Sequence, residues 1–175
     1  MNISIRLLGK DELKLVRKVA DIVWPVTFKE ILSQEQIDYM MEMMYAAKVM
    51  DKEFDEGIKF YGVFDGKNVV GYLIWGHYDG APQTAKLHKC YLLPTYQGKG
   101  IGSMMLKTAQ SMAREAGYKH LRLNVNRQNA KAIKAYDRNG FKTIETVDNP
   151  IGNGFFMSRP CVPRCPFPES SHLCV

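Results

Sequence analysis

A glycine-rich segment in the middle of the chain has the residue types of an anion-binding turn. Residues 91–102 read YLLPTYQGKGIG, in which Pro94 ends one element and Gly98, Gly100 and Gly102 surround the start of the next. Glycine lets backbone amides approach a bulky anion without a side-chain clash, and the first amides of a helix point toward that anion with a favourable dipole. The segment is therefore suited to bind a pyrophosphate, although a strand-to-helix connection without a ligand has the same composition.

The spacing of these glycines disfavours two common nucleotide-binding motifs. The segment does not read Gly-x-Gly-x-x-Gly, and Lys99 is followed by Gly100 rather than by serine or threonine. A dinucleotide-binding fold and a P-loop are therefore poorly supported.

Three side chains have functional groups capable of acid–base or nucleophilic chemistry. Tyr136 carries a phenol hydroxyl group, although it can also be a core aromatic residue of a short helix. His88 titrates near neutral pH and is expected to share a strand face with Cys90, but a lone histidine is more often structural. Cys90 has no histidine at a persuasive position, so packing and backbone contacts are enough to explain it.

The first half of the chain predicts one strand and two helices. Alternating apolar residues predict a strand at 3–7. Asp11 is expected to cap a helix that ends near Trp24, because Pro25 follows. Ser33 begins a capping-box pattern and predicts a second helix that reaches Tyr45.

The second half predicts a sheet interrupted by two helices. Strands are expected at 59–64 and 68–78 around an Asp-Gly-Lys turn, and further regular elements at 84–92 (strand), 100–116 (helix), 120–125 (strand), 130–140 (short helix), 141–147 (strand) and from Gly154. This order predicts an α/β sandwich.

Two of these segments resemble the signature regions of the GCN5-related N-acetyltransferase (GNAT) superfamily. The turn matches through Gln97, Gly100 and Gly102, and the later segment matches through Asn129 and Tyr136, which lies seven residues further on. The resemblance implies a GNAT-type α/β fold over residues 1–157, with a mixed, mostly antiparallel central sheet flanked by helices. The segments at 24–28, 33–37 and 44–45 resemble the PaiA-like polyamine acetyltransferase branch, but core packing explains them equally well.

The resemblance implies acetyl-CoA as cosubstrate, no metal, and a set of cofactor-binding residues. The strand before the turn separates from its neighbour, so that its backbone groups pair with the pantetheine arm. The residues given this role are Cys90, Tyr91 and Leu92 for the arm, Gln97, Gly98, Lys99, Gly100, Ile101, Gly102 and Ser103 for the pyrophosphate, and Asn129 and Arg138 farther along. For Lys99, an exposed surface lysine is the simpler interpretation.

The resemblance also implies direct transfer of the acetyl group to an amine. Backbone amides near Leu92 would stabilise the charge on the carbonyl oxygen, and Tyr136 would protonate the departing thiolate. Related enzymes often carry a glutamate on the strand before the turn, but residues 86–90 read KLHKC, which leaves His88 as the candidate base. For a cationic polyamine, carboxylates would line the acceptor groove, and the candidates, which are also explained as solvated surface, are Glu30, Glu42, Glu53, Asp55 and Glu56.

Composition restricts the partners and the location. The formal charge of +6 comes from scattered lysines and arginines without a long basic run, which argues against nucleic acid as a partner. The apolar run at 69–75 is far shorter than the roughly 18 residues of a membrane span, and the first residues lack a secretory signal. We therefore expect a cytoplasmic protein. The resemblance implies a small-molecule amine as its substrate, and a homodimer is plausible for this fold.

The last residues, 158–175, form an atypical tail rich in proline and cysteine. Its prolines predict that no normal strand forms there, and we expect it to be disordered or altered. Cys161, Cys165, His172 and Cys174 match no common zinc spacing.

Two other functions compete with catalysis. A non-catalytic acetyl-CoA sensor would keep the glycine-rich turn and lose little when Tyr136 is changed to phenylalanine. A DNA-binding regulator is suggested only by the positive charge, and no recognition motif supports it.

Overall fold

A seven-stranded mixed sheet forms the centre of the computed structural model, which describes residues 1–143, 146–153, 155–160 and 163–166. In chain order the strands of the whole structure are β1 (Ile3–Leu7), β2 (Lys59–Asp65), β3 (Asn68–His77), β4 (Thr84–Leu92), β5 (His120–Leu123), β6 (Lys142–Thr143), β7 (Thr146–Gly152), β8 (Phe155–Pro160) and β9 (Pro163–Pro166). The central sheet has the order β1-β2-β3-β4-β5-β9-β6, and β7 pairs with β8 in a separate hairpin. Among the described pairings, β4 with β5 is parallel and the others are antiparallel, which confirms the mixed, mostly antiparallel sheet.

Helices cover both faces of this sheet. They are α1 (Lys14–Phe28), α2 (Gln34–Tyr45), α3 (Ala47–Asp55), α4 (Ile101–Glu115) and α5 (Ala130–Arg138). Buried residues of α1, α2 and α3 pack with Tyr72 and Ile74 of β3, whereas buried residues of α4 pack with Leu73 and Trp75 of the same strand. Because successive strand residues point to opposite faces, β3 is buried on both sides and separates two apolar cores.

The amino-terminal helix differs from its prediction at both ends. Asp11 does not cap it; instead a short 3₁₀ turn at Lys10–Glu12 precedes the helix, and Glu12 accepts a hydrogen bond from the Gly9 amide at 3.1 Å. The helix also continues through Pro25 to Phe28. Pro25 lies on the exposed side, where water can solvate the carbonyl of Asp21 that loses its amide partner.

Replacing Pro25 with alanine is expected to stabilise the fold by about 2 kcal/mol, because a proline inside a helix costs about 3 kcal/mol and its stiffening of the unfolded chain offsets about 1 kcal/mol. Urea unfolding measures the change. Val26→Ala, at the neighbouring exposed position, is the matched control and should change stability by less than about 0.5 kcal/mol. A loss of stability in Pro25→Ala would contradict this account of the helix.

The other predicted elements show both agreement and correction. Ser33 caps α2 by accepting a hydrogen bond from the Gln36 amide at 3.1 Å, and the strands of the β2–β3 hairpin form as predicted. The helix α3 was not predicted. The backbone of Ala46, at φ −58° and ψ 142°, separates it from α2. The described helices include none that is long and apolar enough to cross a membrane.

The carboxyl-terminal part departs most from the predictions. The strand expected at 141–147 is divided, since β6 covers only Lys142–Thr143 and β7 begins at Thr146. The prediction that the prolines prevent a strand after residue 158 is wrong, because β8 reaches Pro160 and β9 pairs with both β5 and β6. A proline without an amide hydrogen is tolerated at the ends of so short a strand. Gly154 and residues 161–162 and 167–175 of the expected tail lie outside the described residues.

Candidate active site

The candidate site begins where β4 and β5 stop pairing. Their parallel ladder runs from Thr84 and His120 to Leu87 and Leu123, and β4 then continues to Leu92 in register with β3 alone. The strand separation that the sequence implied is thus confirmed. Five residues of β4, at 88–92, face a gap in the sheet in which an extended ligand can pair with backbone groups.

A β-bulge lies at the start of this gap. In the register with β3, Trp75 pairs with Leu87 and Ile74 pairs with Lys89, so His88 is an extra residue on β4. Leu87 and Cys90 consequently pack in the same core, on the α4 side, although they are three residues apart. The bulge therefore interrupts the simple alternation on which the expectation that His88 and Cys90 share a face was based.

His88 is a half-buried imidazole in a positive environment. Burial, then the charges of Lys86 and Lys89, lowers its pKa to about 4, so the ring is neutral at neutral pH. Its buried Nε2 atom has no hydrogen-bond partner among the described residues. A buried nitrogen without a partner is unusual in a merely structural histidine.

The glycine-rich turn adopts backbone conformations that favour glycine. Gly98 has φ 76°, and Gly100 has φ 81° and forms the amino-terminal cap of α4. Gly102 lies in the first turn of α4, and a Cβ atom placed there would meet none of the described residues within 4 Å beyond its chain neighbours and the backbone of its own helix. Packing within the described part of the chain does not require glycine at this helical position, which supports the interpretation that the space beside it receives a ligand.

Gln97 joins the gap to the helices around it. Its Nε2 donates to the Leu92 carbonyl at 3.0 Å, and its Oε1 accepts from Lys131 Nζ at 2.6 Å. Lys99 lies over the ring of Tyr96 at 5.5 Å, whereas the Ile101 side chain is buried and leaves only its backbone for a ligand. The turn is therefore anchored to both β4 and α5.

The helix α5 brings the second signature segment beside the first. Asn129 caps α5 by accepting from the Ala132 amide at 3.1 Å, a structural role that the sequence did not indicate. Ser103 of α4 accepts from Asn139 Nδ2 at 3.1 Å, and Arg138 is exposed. The contact between Ser103 and Asn139 joins the first turn of α4 to the carboxyl-terminal end of α5.

Tyr136 lies beside Cys90 and the core on the α4 side. Its ring is half-buried and contacts Phe141 at a centroid distance of 5.9 Å. Burial and then nearby Cys90 raise the pKa of Tyr136, and burial raises the pKa of Cys90 to about 12. Both groups therefore keep their protons at neutral pH.

An aromatic cluster on the other face of β4 was not recognised as a unit from the sequence. Trp24 Nε1 donates to the Tyr45 hydroxyl at 2.9 Å, which shares a 2.7 Å hydrogen bond with the Tyr72 hydroxyl. The Tyr91 ring lies 5.6 Å from Tyr72 and 5.9 Å from Trp24. The sequence shows aromatic residues on α1, on α2 and on two strands, but only the folded chain shows that their side chains contact one another.

The candidate acceptor carboxylates do not form one cluster. Glu53 pairs with buried Lys89 at 2.8 Å, and Asp55 pairs with Lys10 at 2.7 Å. Glu30 and Glu56 are exposed and lie 3.7 Å from neighbouring lysines. Glu42 lines a groove of about 220 Å³ between α1 and α2, whose other lining residues are Arg17, Asp21, Pro25, Ile37, Asp38 and Met41.

The described residues contain no group of three or more histidine, cysteine or acidic side chains that would hold a metal ion. Of the four candidate ligands in the tail, Cys161, His172 and Cys174 lie outside the described residues, and the side chain of Cys165 is not described.

Comparisons with known proteins agree with this geometry. Residues 19–141 match the model of the acetyltransferase (GNAT) family. The chain is 29% identical over 164 residues to a spermidine N(1)-acetyltransferase of Thermoplasma acidophilum, covering 91% of this chain and 98% of that protein. It is 33% identical over 108 residues to a streptothricin acetyltransferase of Streptomyces lavendulae, covering 57% and 53%.

Among solved structures, a PaiA N-acetyltransferase from Thermoplasma acidophilum in complex with coenzyme A superimposes with a TM-score of 0.80 at 26% identity. The match covers 95% of this chain and all of that one.

Proposed function

Because the chain belongs to the GNAT acetyltransferase family, and is therefore an acetyl-CoA-dependent N-acetyltransferase, we propose that it acetylates a primary amine of a polyamine such as spermidine by direct transfer. The observation that carries this proposal is the gap beside β4, with the glycine-rich start of α4 at one end and Tyr136 beside it. The spermidine acetyltransferase relative, aligned over nearly its whole length, supports the acceptor class.

The residues around the gap fit acetyl-CoA, which supplies the activated acetyl group as a thioester. The amides at the start of α4, from Gly100 to Ser103, would hold the pyrophosphate, since free helix amides attract an anion. Residues Cys90, Tyr91 and Leu92 would pair with the pantetheine arm through their backbones. Gln97, Gly98 and Lys99 shape the turn, and Asn129 and Arg138 extend the cofactor side from α5.

Direct transfer is favoured over an acetyl-enzyme because of the state of Cys90. A thiol whose pKa is about 12 is almost entirely protonated at neutral pH, and the thiolate is the nucleophilic form. Tyr136 keeps its proton and is the candidate to protonate the leaving thiolate. The amine itself therefore attacks the thioester carbonyl.

His88 is the candidate proton acceptor, but not for the free ammonium ion. Transferring a proton from a group with a pKa near 10 to one with a pKa of about 4 costs roughly 8 kcal/mol of free energy. The nitrogen becomes much more acidic once it has bonded to the carbonyl carbon. We therefore propose that neutral amine binds and that His88 accepts the proton during or after attack.

The test is thiol release from acetyl-CoA with a panel of amines at equal concentration. Spermidine and spermine are expected to give the highest kcat/KM, and a neutral primary amide and a quaternary amine are the controls that should give none. If the chain binds acetyl-CoA tightly but no amine accelerates thiol release, it is a sensor rather than an enzyme of this class. If amino acids or aminoglycosides are preferred, the polyamine assignment fails. A cytoplasmic location and a homodimer remain predictions.

A further inference from the structure

A buried ion pair lies directly behind the bulged part of β4. Lys89, the residue after the bulge, is 4% exposed, and its Nζ atom lies 2.8 Å and 3.2 Å from the two carboxylate oxygens of Glu53 on α3. The same ammonium group lies 5.2 Å from the centre of the Tyr45 ring. Three elements that surround the site, β4, α3 and α2, therefore meet at one lysine.

The stability of the fold does not by itself explain why this ion pair is present. Burial lowers the pKa of Lys89, while Glu53 acts in the opposite direction, so the charge is kept by its partner. Two well-packed apolar residues of similar size commonly stabilise a fold as well as a buried ion pair does. The pair also differs from the pair of Lys10 and Asp55 at the end of the same helix, where both side chains are about half exposed.

The bulged segment needs support that its neighbours in the sheet do not supply. Within the described part of the chain, the ladder with β5 ends at Leu87, so residues 88–92 are held in the sheet from the β3 side. An inserted residue also makes the local backbone geometry less determined than in a regular ladder. Lys89 is the first residue after the inserted His88, and its ion pair with Glu53 holds the backbone that follows.

We propose that Lys89 and Glu53 are a positioning pair for acetyl transfer, which holds the bulged segment from His88 to Leu92 against α3 and so orients the groups that line the gap. This inference deepens the proposed function and rests on it. Among the described residues no hydrogen bond joins the pair to His88 or Tyr136, and Lys89 acts on His88 only through its charge, which lowers the pKa of His88. The pair is therefore expected to act mainly on the rate of the chemical step, and to affect the binding of acetyl-CoA less, because the pyrophosphate binds at the start of α4 and only the pantetheine arm pairs with residues 90–92.

The test replaces both partners together, as Lys89→Met with Glu53→Gln, since a single change would leave an uncompensated buried charge. We expect kcat for the preferred amine to fall by about 10- to 100-fold, because small misplacements of reacting groups have effects of this size. The Kd for coenzyme A should rise much less, by no more than about fivefold, because the pyrophosphate site at the start of α4 is left intact. Hydrogen exchange of the amides at 88–92 should become faster, which is a readout that does not depend on turnover.

The matched control is Lys52→Met, which removes the exposed ion pair of Lys52 with Glu56 at the end of the same helix. It should leave kcat and the exchange of residues 88–92 unchanged. If it lowers kcat equally, α3 acts through its general stability and the proposal is overturned. The proposal is also overturned if the Lys89 and Glu53 variant is folded, exchanges normally and keeps its kcat.

A milder variant keeps the proposal testable if the double variant does not fold. Glu53→Asp retains the charge but shortens the reach to Lys89, and it should lower kcat several-fold with the Kd for coenzyme A unchanged; an unchanged kcat would overturn the proposal. Failure of the proposed function is distinguishable from failure of this positioning proposal, because the unaltered chain would then acetylate no amine. The hydrogen-exchange measurement would still decide whether the pair holds the bulge.

Discussion

Replacing Tyr136 with phenylalanine is expected to lower kcat by about 100-fold or more, because a positioned general acid typically contributes at least that factor. The change removes only the hydroxyl group, and a phenylalanine ring can keep the contact with Phe141. The Kd for coenzyme A and the unfolding midpoint should therefore stay close to those of the unaltered chain. Steady-state thiol release with a saturating amine, together with calorimetric binding of coenzyme A, measures both quantities.

The control for this change is Tyr118→Phe, which removes a hydroxyl group that lies 3.5 Å from His77, beyond the end of α4. It should leave kcat unchanged. Because burial raises the pKa of Tyr136, the phenol should remain protonated across the neutral and mildly alkaline range, and its ionisation should not limit kcat there. A Tyr136→Phe variant with kcat within threefold of the unaltered chain would remove Tyr136 from the mechanism.

Replacing Gly102 with glutamate is expected to weaken the binding of coenzyme A by about 100-fold. Two like charges about 4 Å apart repel by roughly 4 kcal/mol at the effective dielectric constant near a protein surface, and water and salt reduce this value. The stability of the fold should not fall, because a Cβ atom at Gly102 meets no other described residue beyond the local helix backbone, and an acidic side chain in the first turn of a helix is favourable. Calorimetric titration measures the affinity for coenzyme A, and thermal unfolding measures the stability of the fold.

Gly102→Ala separates the effect of charge from that of volume. It adds a methyl group without charge, should stabilise α4 by about 0.5 to 1 kcal/mol, and should change the affinity for coenzyme A much less than the glutamate does. If glutamate at this position leaves the affinity intact, the pyrophosphate does not bind at the start of α4. Loss of folding in the alanine variant would instead show that the backbone here is strained.

The sequence alone predicted several of the local elements and supplied the candidates for the cofactor side of the site. Ser33 predicts α2, the Asp-Gly-Lys turn predicts a hairpin, and Gly100 predicts the start of α4. These predictions hold because each signal acts within a few residues of the structure that it determines. The spacing of the glycine-rich turn and of Asn129 and Tyr136 also led to the family. These features depend on short-range geometry, which a linear pattern preserves.

Tertiary structure alone decided the features that depend on pairing between distant segments. The bulge at His88 appears only in the register of β4 against β3, and it interrupts the simple alternation from which the sequence assigns a face to that residue. The strand β9 forms despite its prolines because two strands are available to pair with it. Glu53 looks like a solvated surface residue in the sequence, yet α3 carries it to a lysine 36 residues away. Residues 86–90 of β4 contain no carboxylate, but the fold brings Glu53 to Lys89 of that strand from a helix, since spatial contact does not follow from separation along the chain.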